Sequence, residues 1–190
     1  ITLSATLRLA TPIIIAAVGG SFSHKAGTFN IAFECFMLFG AFFGAYGSYL
    51  TGSPMAGALL AAVSGGVLSL VFGLFVFILK ANPMIISIAM NNGAWAVTTL
   101  MLTLVWGVRG SFVSPEIVSF KTLDIPVLRN SPYIKNIANN QIILVYMAYA
   151  IIIIGTIIMY KTKFGLRVRG IGINDVAAQT AGVNVGATKW

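Results

Sequence analysis

Long stretches without a single charge constrain this sequence more than any other feature. None falls between Glu34 and Lys80, none between Lys80 and Arg109, and none between Lys135 and Lys161. A helix of about 20 apolar residues crosses a hydrocarbon core of roughly 30 Å, so each gap has room for at least one crossing. Only 8% of the residues are charged and 58% are hydrophobic, where a soluble domain carries roughly a quarter charged residues. A water-soluble globule is therefore excluded. The net charge of +8 is carried by scattered cations beside apolar runs, which orient a membrane protein and do not build a nucleic-acid face. One cysteine and one histidine rule out an intrachain disulfide and argue against a zinc site.

The expected fold is all-α, a polytopic transmembrane helix bundle. Five apolar segments are expected, at residues 3–22, 29–50, 55–79, 84–106 and 142–160. The second holds Asn30 and Glu34 in its first turns. A carboxylate at mid-bilayer depth costs roughly 2.5–3.5 kcal/mol, so Glu34 is expected to face a partner, a cavity or the interface. Gly40 and Gly44 have the spacing that lets a second helix approach closely, and Ala58, Ala62 and Gly66 form a small-residue stripe on the third segment. Phe36, Phe39, Phe42 and Phe43 recur at helical spacing and read first as packing.

Asn91 and Asn92 lie near the middle of the fourth segment. Adjacent amides leave a helix in different directions, so one neighbour cannot satisfy both. An interhelical hydrogen bond, worth about 0.6 kcal/mol, and a polar lining for a solute path are the two readings.

Residues 107–139 form a polar excursion with Pro115, Pro126 and Pro132, long enough to be a folded docking surface. Past residue 160 come Lys161, Lys163, Arg167 and Arg169, then Asn174 and Asp175, both good helix N-caps. A short helix through residues 176–181 should follow, closed by Gly182. The cations after Tyr160 outweigh Arg109, which places residues 161–190 in the cytoplasm and the excursion outside. The sequence starts at Ile1 and ends at Trp190 soon after the short helix, so it reads as part of a longer protein, a single partial transmembrane domain.

No catalytic group stands out. Gly170 and Gly172 begin a dinucleotide pattern, but Asp175 occupies its third glycine position, and residues 182–189 lack the order of a phosphate loop. No cofactor or metal is expected on this chain.

The stretches RLATPIIIAAVGGSFSHKAGTFNIAFECFMLFGAFFG, LKANPMIISIAMN, LDIPVLRNSP, FGLRVRGIGIND and AAQTAGVNV resemble permease subunits of ATP-binding-cassette importers. The group is the one related to branched-chain amino acid and ribose permeases, and the likeness is strongest to nucleoside permeases served by basic membrane lipoproteins. It implies that residues 165–185 are a cytoplasmic coupling element docking on an ATPase subunit, which alone holds ATP and magnesium. Gly165 opens that element, and Gly172, Asn174, Ala177, Ala178, Ala181 and Gly182 match the family pattern within it. Ile173 stands where the family usually has an acid, Asp175 where it has proline, and Cys35 where it has glycine.

Asn30, Glu34 and Asn91 match polar positions near the family's translocation path. Asn92, Phe36 and Phe39 join them as candidates, the amides for a polar solute and the rings for a nucleobase. The implied partners are ABC ATPase subunits, a second permease subunit in a homo- or heterodimer, an extracytoplasmic substrate-binding lipoprotein and membrane lipid. The implied location is the bacterial cytoplasmic membrane. A nucleoside is the expected solute, with a sugar or branched-chain amino acid as alternatives. The rival reading is an ion-coupled secondary transporter or channel, with Glu34 as its ion or proton site.

Overall fold

The computed structural model describes residues 2–110, 114–115, 117–120, 122–123 and 141–189. The apolar segments are helical: α1 is Thr2–Lys25, α2 Phe33–Thr51, α3 Pro54–Gly73, α4 Pro83–Trp106 and α5 Ile143–Lys161. A π-helical turn, Leu74–Ile78, continues α3. Pro54 and Pro83 open their helices where a missing N–H costs nothing, and Asn82 caps α4 by accepting from the Met84 N–H at 2.9 Å.

Among the described residues, four stretches are long and apolar enough to cross a membrane: Ser4–Lys25, Pro54–Ile78, Pro83–Trp106 and Ile143–Lys161. The expectation of five such spans is thereby modified. Segment 29–50 is helical only from Phe33, and Glu34, three glycines, two tyrosines and Ser48 dilute its apolar content. No more than 17% of the most apolar window of any of the four is buried. Leu104 is 75% exposed and Trp95 69%. Apolar faces of this extent call for lipid or further helices as their solvent.

The chain divides into two compact units, residues 28–119 and residues 1–27 with 120–189. In the first, α2 and α3 form a hairpin whose crossing is made by glycine. A Cβ on Gly57 would overlap the Gly44 carbonyl oxygen, and one on Gly47 would come within 3.0 Å of the Gly57 Cα. The crossing differs from the expected one: a Cβ on Gly40 or Gly66 would meet no other element within 4 Å, and Ala62 is exposed. Gly57 and Ala61, one residue earlier than the expected stripe, face Gly44.

Helix α4 runs parallel to α2. Asn91, in the third turn of α4, meets Cys35 at the start of α2, and Trp106 at the end of α4 meets Phe42, Tyr46 and Tyr49 edge-on, at centroid distances of 5.6, 6.0 and 5.7 Å. Ala32, Cys35 and Ala94 form the buried centre between them, with Phe36, Phe39 and Leu68 packed around it.

In the second unit α1 and α5 also run in the same direction. At their starts Gln141, only 1% exposed, accepts from Arg8 Nε at 2.9 Å and donates to Ser4 Oγ at 2.7 Å. Midway, a Cβ on Gly155 would stand 3.0 Å from Val18 Cγ1. At their far ends lies α6, Lys163–Ile173, followed by α7, Asp175–Thr180, and α8, Val185–Lys189. The first segment therefore runs alongside the last over its whole length.

A two-residue antiparallel pair interrupts the all-α plan: β1, Thr122–Leu123, lies against β2, Gln141–Ile142, with Thr122 opposite Ile142. The body of the excursion at residues 107–139, including Pro126 and Pro132, lies outside the described residues.

Candidate functional site

Helix α2 begins with an alanine, Ala32, that offers no capping side chain. The first N–H groups of a helix have no partner within it, and the capping position here supplies none. Helix α4 does. Asn91 Oδ1 accepts from the Cys35 N–H at 3.0 Å, while Asn91 Nδ2 donates to the Ile31 carbonyl at 3.0 Å. One turn earlier on the same face, Ser87 Oγ accepts from the Ile31 N–H at 3.1 Å and donates to the Pro83 carbonyl at 2.7 Å. Asn30 Oδ1 accepts from the Ala32 N–H at 2.8 Å and lies 3.4 Å from Ser87 Oγ.

Asn30 and Asn91 are thus brought to one place, where they hold the non-helical approach to α2. Both ends of the Asn91 amide are engaged by backbone. Asn92 and Glu34 are exposed; Glu34 lies in the first turn of α2, where the helix dipole favours a negative charge. Phe36 and Phe39 are half-buried against the Ala32–Cys35–Ala94 centre, and Phe39 stacks on Phe43 at 6.1 Å. Ser87, fully buried, belongs to this cluster although its residue type alone does not single it out. Its signal is the four-residue spacing to Asn91, which puts both on one helix face.

The second candidate region follows Tyr160. Thr162 caps α6 by accepting from the Gly165 N–H at 3.2 Å, and Gly165 is buried in a turn so tight that a Cβ there would overlap the carbonyl oxygens of Ile158 and Met159. Val168 and Ile171 follow on the buried face of α6. At its end Gly172 passes the end of α1 so closely that a Cβ would overlap the Lys25 carbonyl oxygen. Gly27, at φ +79°, sits across from it.

Asn174 Oδ1 then accepts from the N–H groups of Val176 and Ala177, both at 3.0 Å, which caps α7. Gly182, at φ +82°, closes α7 with the Gly182 N–H donating to Gln179 O and the Val183 N–H to Ala178 O, each at 3.0 Å. This is the paired-bond C-terminal motif that glycine permits. Ala178 is buried, while Ala177 and Ala181 are exposed. Lys189 reaches back to Asp175 at 2.6 Å.

The element is larger than the expected single short helix. Residues 163–173, expected as a cationic stretch leading into the coupling element and not as a helix, form a helix of their own. Two apolar side chains stand out from its junction with α7: Ile173 is 87% exposed and Val176 69%.

These features define a class: an integral membrane helical protein that carries a rigid, capped helix–turn–helix ledge at the polar end of its last described span. The chain belongs to the family described as branched-chain amino acid transport system / permease component, whose profile matches residues 2–190. It is 33% identical over 192 residues to the guanosine ABC transporter permease protein NupQ of Bacillus subtilis, covering 97% of this chain and 60% of that protein. It is 30% identical over 190 residues to the nucleoside ABC transporter permease protein NupC of Lactococcus lactis, covering 95% of this chain and 58% of that protein. The chain thus spans about three-fifths of the length of these relatives. No solved structure matches it significantly.

Proposed function

We propose that this chain is part of the transmembrane domain of a permease subunit of an ATP-binding-cassette importer, which moves a nucleoside into the cytoplasm by alternating access. ATP is bound and hydrolysed on a separate ATPase subunit. Binding of ATP closes the ATPase pair, and the ledge of α6 and α7 carries that movement to the spans. Such a shift requires ATP to favour one state over the other.

The observation that carries this reading is the ledge itself: α7 is capped at both ends, fixed under α1 through Gly172, and displays Ile173 and Val176 outward. It is built to be gripped. The names of the two relatives support the solute class. The cytoplasmic placement of residues 161–190 rests on Lys161, Lys163, Arg167 and Arg169. A homo- or heterodimeric permease partner and an extracytoplasmic binding lipoprotein complete the proposed assembly.

The test is Val176→Glu in the intact transporter. Labelled nucleoside uptake and co-purification of the ATPase are both expected to fall at least tenfold, with the permease still inserted. Normal uptake and co-purification would overturn the reading. The ion-coupled alternative, with exposed Glu34 as its site, predicts instead that uptake survives ATP depletion and collapses with an ionophore.

A further inference from the structure

A groove of about 290 Å³ lies between α1 and α5, beside the ledge. Val18, Phe22, Ile152 and Met159 make most of its wall, and Lys25 and Tyr160 stand at one end. Two hydroxyls line it as well, but Ser21 donates to the Ala17 carbonyl and Thr156 to the Ile152 carbonyl, both at 2.8 Å. With their protons turned onto their own helices, they offer little to a neutral polar solute.

The end near Tyr160 is basic, since Lys25 lines it. The Arg169 guanidinium lies 5.2 Å from the Tyr160 ring centroid, within cation–π range, and Lys161 and Lys163 follow in sequence. The groove is therefore apolar along its length and cationic at its mouth, where the spans meet the polar ledge. That polarity is the complement of an anionic amphiphile.

We propose that this groove holds part of one acyl chain of an anionic glycerophospholipid, its phosphate against Lys25 at the basic mouth. Basic pockets between spans recognise such headgroups. The volume is near the lower end of ligand pockets, roughly 300 Å³, which suits part of a single chain and not a whole lipid. A lipid seated here would brace α1 against α5 next to Gly172, the point where the ledge is fastened.

Native mass spectrometry of the intact transporter, titrated with phosphatidylglycerol or phosphatidylcholine, tests the proposal. The wild-type protein should retain phosphatidylglycerol in preference. Lys25→Gln should lower that preference about fivefold, the weight of one lysine near an anionic surface. Thr156→Trp, which fills the groove, should lower retention of both lipids; Ser21→Phe, on the facing helix, serves if that variant fails to assemble. An unchanged preference in Lys25→Gln would overturn the proposal. So would a photoreactive side chain at position 156 that cross-links to protein, from another helix or a second copy, in place of lipid. Solubilised protein is reached by lipid from either side, so the result does not depend on the solute or on the orientation proposed above.

Discussion

The two units of this chain hold their helices together by different means. In residues 28–119 the contacts lie along the helices: glycine backbones pressed together at Gly44, Gly47 and Gly57, a buried amide at Asn91, and aromatic rings from Phe39 to Trp106. In the unit of α1 and α5–α8 the strongest ties sit at the two ends, Gln141 with Arg8 and Ser4 at one and Gly172 with Lys25 at the other. A groove remains between them. Lipid is as apolar as leucine, so spans are joined by packing and hydrogen bonds and not by expulsion of water. Contacts distributed along a helix fix it as a rigid body. Between α1 and α5 the middle is held by apolar packing alone, Gly155 against Val18 and Phe22, while the polar ties at the ends carry a pull on the ledge to the far end of α1.

Substitutions can break this contrast. The largest effect is expected from Gly57→Leu, whose side chain has no space against the Gly44 carbonyl. It should destabilise the protein by about 3 kcal/mol in denaturant titration in mixed micelles, while Gly40→Leu, with open space around it, should change little. Equal effects would mean that the crossing lies elsewhere.

Gly172→Ala should cost about 2 kcal/mol and uncouple nucleoside-stimulated ATP hydrolysis from uptake, whereas Gly170→Ala, which meets nothing within 4 Å, should do neither. Asn91→Leu strips partners from the Cys35 N–H and the Ile31 carbonyl and should cost about 1–2 kcal/mol; exposed Asn92→Leu should cost under about 0.5 kcal/mol. If uptake falls in Asn92→Leu at full stability, the solute contacts Asn92 and Asn91 serves the scaffold. Asn174→Ala removes the cap of α7 and should cost about 1 kcal/mol, read as faster proteolysis of the ledge without change in the spans.

The ledge shows how far the sequence could be read. Its cap and its stop are local: Asn174 reaches N–H groups two and three residues on, and Gly182 takes the left-handed turn at its own position. Both were legible from residue type and spacing. Helix α6 was not, because Gly165, Gly170 and Gly172 weaken helix propensity and its buried face is made only when Val168 and Ile171 meet their neighbours. The polar cluster at α2 was half legible. Asn30, Glu34 and Asn91 are conspicuous in an apolar run, but that Asn91 would cap a helix some sixty residues away (Cys35 to Asn91 is 56) cannot be seen in a one-dimensional pattern.

The sequence by itself determined that this chain enters a membrane, where most of its helices run, and that a capped element follows the last of them. Hydropathy, prolines and caps act within a few residues, so they are written locally. Tertiary structure decided which glycines touch, which amide is consumed by backbone, and that Ser87 and Gln141 are buried partners. Those outcomes depend on which helix faces meet, and identical small residues such as Gly40 and Gly57 differ only in what the fold brings against them.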